Sequence, residues 1–191
     1  MNETTLALLK ARRSVKPDLM SAPGPTASEL DEILTIAARV PDHKKLAPWR
    51  FIVFEGDARA QFGEKIAQAC KAEDTMEPSE VRLKTEQERF MRAPVVVAVI
   101  SHITPKPGAP EWEQILSAGA STMNLCVAAN AMGYATCWLT EWIAYSPAIH
   151  AALGLGEGER VVGFVYIGTA SFKPEERPRP ALEDVVTRWT G

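Results

Sequence analysis

The segment that most constrains the fold is an uninterrupted apolar run, Pro94–Ile100, in which every residue after the proline is Val, Ala or Ile. β-Branched residues dominate the run, which is typical of a strand, and the lack of polar alternation indicates that both of its faces are buried. Such a strand needs helices on each side of its sheet. The run is also far shorter than the roughly 20 apolar residues of a membrane helix, so no spanning segment is predicted.

The remaining sequence supplies those helices and further strands. Helices are predicted at 4–13, from Thr26 to Pro41, at 58–72, at Glu111–Met132 and after Ser146, with a polar helix-favouring stretch at Glu77–Arg92. Strands are predicted at Trp49–Phe54, Tyr134–Thr140 and Arg160–Ile167. In the first helix, Leu6 and Leu9 are expected to face inward. No repeat or long linker divides the chain, so residues 1–191 are expected to form one domain.

The longest helical pattern has a middle composed mainly of small residues, Ser117–Ala131. Small side chains allow other backbones to approach closely. We therefore expect this helix to be central, packed on all sides and part of a subunit contact. Gly133 is expected to end it, as a C-terminal cap.

Charge and composition exclude several classes of protein. With 21 basic and 24 acidic residues, a net charge of -3 disfavours a general nucleic-acid binder. The N-terminus has no export signal, so we expect a cytoplasmic protein. Cys70, Cys126 and Cys137 form no metal-binding or disulfide pattern and are expected to be buried free thiols. The three histidines lack metal-ligand spacing, and no metal site is predicted.

Positive charge is nevertheless concentrated in three local clusters, Lys10–Lys16, Arg39–Arg50 and Lys173–Arg179. In the first, Arg12-Arg13-Ser14 offers two guanidinium groups and a hydroxyl, which can hold a phosphate. The alternative is that these cations only complement the C-terminal dipole of the first helix. No signature of hydrolysis, of a Walker-type loop or of a dinucleotide fingerprint is present.

Five segments, taken in order, carry a resemblance to a known family. They are Arg12–Val15, the stretch Ala38–Phe51 with its Pro41-Asp42-His43-Lys44 and Pro48-Trp49, the small-residue helix around Ser117, Gly133–Trp138, and Val162–Thr169. Together they resemble the nitroreductase family of FMN-dependent oxidoreductases, and in particular its short, minimal single-domain branch. The resemblance implies an α+β fold, in which helices wrap a mixed sheet, and an intertwined homodimer with FMN at the interface.

The resemblance also implies roles for particular residues. Arg12 and Ser14 would bind the phosphate and ribityl chain, and Arg13 would lie by the pyrimidine edge, where a cation stabilises the reduced flavin. The other implied FMN contacts are Arg39 and His43, usually from the partner chain, the ring-facing segment Trp138, Leu139 and Thr140, and Arg177 or Arg179 at the phosphate. No catalytic side chain is implied, because the flavin performs the hydride chemistry.

The implied activity is a ping-pong transfer of hydride from NADH or NADPH through FMN to a small acceptor, such as a nitroaromatic or a quinone. Lys45 and Ala47 replace amides that many family members carry, and the segment before the apolar strand is short, so we expect an open, poorly selective site. An FMN-binding or sequestering protein without efficient turnover remains the alternative. Reductive dehalogenation and oxygen-dependent flavin cleavage also stay open.

Overall fold

The computed structural model describes residues 2–172 and 174–191. The helices are α1 (Glu3–Ala11), α2 (Ala27–Ala37), α3 (Ala58–Glu73), α4 (Glu80–Gln87), α5 (Glu111–Ala131), α6 (Pro147–Ala152) and α7 (Leu182–Val185). The strands are β1 (Met20–Ser21), β2 (Trp49–Glu55), β3 (Val95–His102), β4 (Ala135–Leu139) and β5 (Glu159–Ala170). In the described part of the chain, no helix has the length and apolar character needed to cross a bilayer.

The strands form one sheet with β5 at its centre. β3 pairs with both β2 and β5, and β4 and β1 each pair with β5 as well. These pairs are antiparallel, whereas the isolated bridge of Ser14 with Thr136 is parallel. The predicted α+β fold with a sheet wrapped by helices is therefore confirmed, although the sheet is mixed only through this one bridge.

The apolar run behaves as predicted, because alternate residues of β3 enter two different cores. On one side, which we call the aromatic face, α3, α4 and α6 cover a cluster of aromatic rings, Phe54, Phe62, Phe90, Phe164 and Tyr166. On the other side, the open face, α2 and α5 cover a smaller layer with Leu30, Ile33 and Leu125 at its centre. All of Val95–Ser101 is buried between these layers.

A capping box of Thr26 and Glu29 begins α2, where the sequence predicts the helix to start. The Glu29 backbone N–H donates to the Thr26 hydroxyl at 3.3 Å, and the Glu29 carboxylate accepts the Thr26 backbone N–H at 2.8 Å. Each of these bonds gives a partner to a backbone N–H at the start of the helix that would otherwise have none within the first turn. The pattern therefore fixed where α2 begins.

Two expectations about the open face are wrong for the chain by itself. Leu6 and Leu9 of α1 do not face inward, since they are 39% and 51% exposed. Helix α5 is not packed on all sides, because Trp112, Leu116 and Met123 are exposed along it.

Strand β1 is not among the strands predicted from the sequence. It forms because its two residues pair with the end of β5.

The three cysteines are free and buried, as predicted. Burial raises the pKa of the Cys70 and Cys137 thiols and raises that of Cys126 to about 11. The thiols are therefore protonated at neutral pH and contribute to packing.

Candidate functional site

The first predicted cluster, Arg12–Ser14, follows α1 directly and lies beside β4. Ser14 forms the bridge with Thr136, and the backbone N–H of Val15 donates to the Thr136 carbonyl at 3.1 Å. This pairing fixes the basic residues next to the strand that contains Trp138. The chain therefore brings two of the predicted flavin segments together.

A cleft of about 350 Å³ opens where these elements meet the C-terminal end of α5, and we call it the α1–β4 cleft. Its lining includes Arg12, Arg13, Asn130, Tyr134, Phe172 and Pro174. It thus combines cationic, amide and aromatic groups. Small-molecule sites commonly have this mixture of apolar walls and few placed polar groups.

Two polar groups of the α1–β4 cleft lack partners among the described residues. The Asn130 amide nitrogen donates to the Tyr134 carbonyl at 2.6 Å, but its Oδ1 is buried without a hydrogen bond. The half-buried Arg12 guanidinium has neither an ion pair nor a hydrogen bond in the part of the chain described. An unmatched cation and an unmatched acceptor on residues that line one cleft fit a ligand with an anionic group and a hydroxyl or N–H donor. The phosphate and ribityl chain of FMN have these groups.

The tail reaches the same cleft from the other side. Arg13 donates to the Glu175 carbonyl and lies 3.6 Å from the Glu176 carboxylate, which is also 3.3 Å from Arg179. The backbone N–H of Arg177, together with these cations, lowers the pKa of Glu176. Of the predicted tail residues, Arg179 is therefore joined to Arg13 through a shared carboxylate, whereas the Arg177 side chain is exposed. Lys173, from the same basic cluster, lies outside the described residues.

Trp138 projects from β4 against β5, and its indole N–H donates to the Val162 carbonyl at 3.2 Å. A Cβ added at Gly163 would meet the indole nitrogen at 2.2 Å, so the ring requires glycine at this position. The ring nevertheless stays 38% exposed. Leu139 packs against the aromatic core, and Thr140 is half-buried.

The second predicted group, Arg39 and His43, lies along α5. The Arg39 carbonyl accepts from the Asn124 amide at 3.0 Å, and His43 Nδ1 lies 2.6 Å from the Glu113 carboxylate. Both predicted residues are exposed. Among the described residues, no group of three potential metal ligands is found here or elsewhere.

Asp42 holds the loop that carries His43. Its two carboxylate oxygens accept the backbone N–H groups of Leu46 and Ala47, both at 2.9 Å. Lys44, Lys45 and Ala47 have φ values of 63°, 55° and 47°, which residues with a Cβ rarely adopt. The carboxylate therefore stabilises a strained loop conformation.

The chain does not bring His43 to the α1–β4 cleft. Glu113, which contacts His43, and Asn130, which lines the cleft, are separated by 17 residues of one helix. At 1.5 Å per residue this spacing is about 25 Å. The two groups of predicted residues consequently lie near opposite ends of α5.

Sequence reasoning missed several residues that contribute to these contacts. Asn130, Thr136, Glu113 and Glu176 had no predicted role. An asparagine near the end of a helix of small and apolar residues was the one available signal. The others depend on pairings between distant segments, which spacing along the chain does not encode.

Comparison with known proteins identifies the family. The model of the nitroreductase family matches residues 9–169. The chain is 33% identical over 168 residues to an Escherichia coli K12 protein named "Putative NAD(P)H nitroreductase YdjA", covering 88% of this chain and 89% of that protein. It is 37% identical over 175 residues to a Haemophilus influenzae protein named "Putative NAD(P)H nitroreductase", covering 91% and 92%.

Solved structures share the fold. A nitroreductase-like family protein from Bacillus cereus superposes with a TM-score of 0.83 at 25% identity, covering 98% of this chain and 96% of that one. The FMN-dependent nitroreductase NfnB from Mycobacterium smegmatis, solved in complex with NADPH, gives 0.75 at 19% identity and covers 98% of both chains. The chain belongs to the nitroreductase family, and the assignment made from its five segments is confirmed.

Proposed function

We propose that this chain is an FMN-dependent oxidoreductase that takes hydride from NADH or NADPH and delivers it to a small acceptor, such as a nitroaromatic or a quinone. The observation that carries the proposal is that Arg12 and Asn130 both line the α1–β4 cleft and that, among the described residues, the Arg12 guanidinium and the Asn130 Oδ1 have no partner. The relatives from E. coli and H. influenzae, which are named as NAD(P)H nitroreductases, support it.

Bound FMN would accept hydride at N5 and pass it on, with donor and acceptor taking turns at one position in a ping-pong sequence. The chain's own residues would bind FMN and orient its ring. Arg12 and Ser14 would hold the phosphate and ribityl chain, while Arg179 would act through Glu176 on that side of the cleft. Arg13 would place positive charge by the pyrimidine edge, and the backbone of Trp138–Thr140 would lie along the ring.

We further propose that the working unit is a homodimer and that His43 and Arg39 act on the partner's flavin. The exposed leucines of α1 and the exposed Trp112, Leu116 and Met123 of α5 support this proposal, because water-exposed apolar rows favour association. The separation of about 25 Å along α5 supports it as well, since one chain cannot close both groups of residues around one flavin. Residues 1–191 would form one domain, and the cytoplasmic location stays a prediction from the sequence.

Flavin binding and reduction test the proposal. The purified protein is reconstituted with FMN, desalted and denatured, and the released flavin is identified by chromatography. The retained flavin is then mixed anaerobically with NADH or NADPH. Retention of FMN followed by rapid loss of its visible absorption is expected. A colourless desalted protein would contradict the cofactor assignment, and retained FMN with an unchanged spectrum would favour the sequestering protein.

A further inference from the structure

Glu141 has the most unusual backbone next to the proposed flavin site. It directly follows Trp138–Thr140, and its φ of 54° and ψ of -177° lie in a region that is used almost only by glycine. A residue with a Cβ is strained there. Some other interaction must therefore hold Glu141 in place.

Two guanidinium groups provide that interaction. Arg89 Nη1 lies 2.6 Å from Oε1 of Glu141, and Arg92 Nη2 donates to Oε2 at 3.1 Å. We call Arg89 and Arg92 the arginine clamp. All three side chains are largely withdrawn from water, so solvent competes weakly for these charge-assisted bonds.

Contacts with Glu86 and Tyr166 hold the arginine clamp in place. Arg89 donates twice to the fully buried Glu86 carboxylate, at 2.6 Å each. Arg92 donates to the Tyr166 hydroxyl at 3.0 Å, and its guanidinium carbon lies 5.0 Å from the centre of that ring. Despite the cost of burial, bonds to Glu86 and Glu141 raise the pKa of Arg89 above its ordinary value. Both arginines therefore keep their charge and their position.

We infer that Glu141 is a positioning residue: the arginine clamp holds its carboxylate, and thereby keeps the strained backbone that orients Trp138–Thr140 along the flavin ring. The inference rests on the proposed function, because it assigns the strain a role only if this segment meets FMN. A network that served stability alone would have no need of a glycine-only conformation at a glutamate. Strain of this kind persists where the surrounding structure over-determines it, and it concentrates at ligand sites.

Substitutions at Glu141 separate the clamp from the strain. Glu141→Ala removes the carboxylate and keeps the Cβ, whereas Glu141→Gly removes the carboxylate and lets the backbone adopt its φ freely. Both remove the same carboxylate from the arginine clamp, whose bonds to Glu86 and Tyr166 remain, so any difference between the two variants reports the backbone. Glu88→Gln is the control, because Glu88 is exposed and 3.9 Å from Lys84.

The experiment titrates each apo-protein with FMN and records the visible circular dichroism of the bound flavin. Glu141→Ala is expected to bind FMN about tenfold more weakly than the parent and to alter the flavin signal. Glu141→Gly is expected to recover most of the affinity and the parent's signal. If Glu141→Ala does not fold, Glu141→Gln takes its place, since it keeps the Cβ and weakens the clamp, and it should bind more weakly than Glu141→Gly.

Two results would overturn the inference while leaving the proposed function intact. In one, the parent binds FMN and the Cβ-bearing variant matches it in affinity and signal, whatever its melting temperature. In the other, Glu141→Gly is as weak as the Cβ-bearing variant. A parent that binds no FMN would instead contradict the proposed function, and the inference would fail with it.

Discussion

The aromatic face of the sheet keeps its charges and rings covered, whereas the open face leaves comparable groups without partners. On the aromatic face, Glu86 is fully buried and Arg89 is paired on both of its sides. At the end of α5 on the open face, the Arg12 guanidinium and the Asn130 oxygen lack partners among the described residues. The difference supports the proposal that the open face serves a ligand and a second subunit, whereas the aromatic face is covered by the chain itself.

Phe90→Ala should have the largest effect on stability. The Phe90 ring is fully buried, with the rings of Phe54, Phe62 and Phe164 at 5.0, 5.2 and 5.4 Å between centroids. Removing it should lower the free energy of unfolding by about 3–5 kcal/mol. Urea denaturation of the apo-protein measures this loss, with the half-exposed neighbour Met91→Ala as the control. A loss no larger than the control's would show that the aromatic face is not the stabilising core.

Leu116→Asp tests the open face as an interface. Leu116 is 53% exposed on α5, so a charge there should cost the folded chain little and should weaken self-association by about a hundredfold. Sedimentation velocity over a range of concentrations measures the dissociation constant. Val81→Asp, at an exposed site of α4, should leave it unchanged. Equal association of the parent and both variants would contradict a subunit contact at α5.

Arg12→Ala should weaken FMN binding more than Arg177→Ala. Arg12 is half-buried in the α1–β4 cleft, while Arg177 is an exposed tail residue that must first be ordered. Losing one charge-assisted contact of about 1.5–3 kcal/mol corresponds to a roughly ten- to hundredfold higher dissociation constant. Fluorescence titration of the apo-proteins compares the two. If Arg12→Ala binds like the parent, Arg12 is only a cation at the end of α1.

Glu159→Gln should have the smallest effect, and that effect should depend on pH. Hydrogen bonds from Arg50, at 2.6 and 2.8 Å, lower the pKa of Glu159 to about 2. A carboxylate with a depressed pKa stabilises the fold above the ordinary value near 4.5, and this stabilisation is lost as the pH falls towards 2. The variant should therefore be about 1–3 kcal/mol less stable at neutral pH and should converge with the parent in acid.

Urea denaturation across this pH range makes the measurement. Glu88→Gln serves as the matched control, because its exposed ion pair with Lys84 should contribute little at any pH. If the difference in free energy of unfolding between Glu159→Gln and the parent stayed constant down to the lowest pH, the Arg50–Glu159 pair would not be the source of the stabilisation.

The sequence was sufficient for the elements whose information is local. The apolar run indicated a strand between two helical layers, and Thr26 with Glu29 marked the start of α2, because periodicity and capping act within a few residues. Strand β1 escaped detection, since two residues form a strand only through pairing with β5. The inward orientation of Leu6 and Leu9 was wrong for the isolated chain, because a helical stripe does not say what will cover it.

In the candidate site, too, residues within local motifs were predicted, whereas contacts between distant segments were not. Arg12–Ser14 and Trp138–Thr140 were predicted from the order of family motifs, and the bridge of Ser14 with Thr136 places the first segment beside the strand that contains Trp138. The contacts of Glu176 and the arginine clamp could not be predicted, because they join segments distant in sequence. The strain at Glu141 had no sequence signal, since glycine is the residue that normally marks such a backbone.

The three buried cysteines have a consequence for the chemistry that this protein would encounter. Quinones are electrophiles that alkylate thiolates, and a protein that binds them is exposed to its own substrates. Burial raises the thiol pKa of Cys70, Cys126 and Cys137 and keeps them protonated, although Cys70 lines an open pocket beside Trp142. The folded chain therefore presents its cysteines to such compounds as thiols and not as thiolates, and this protection lasts as long as both cores remain closed.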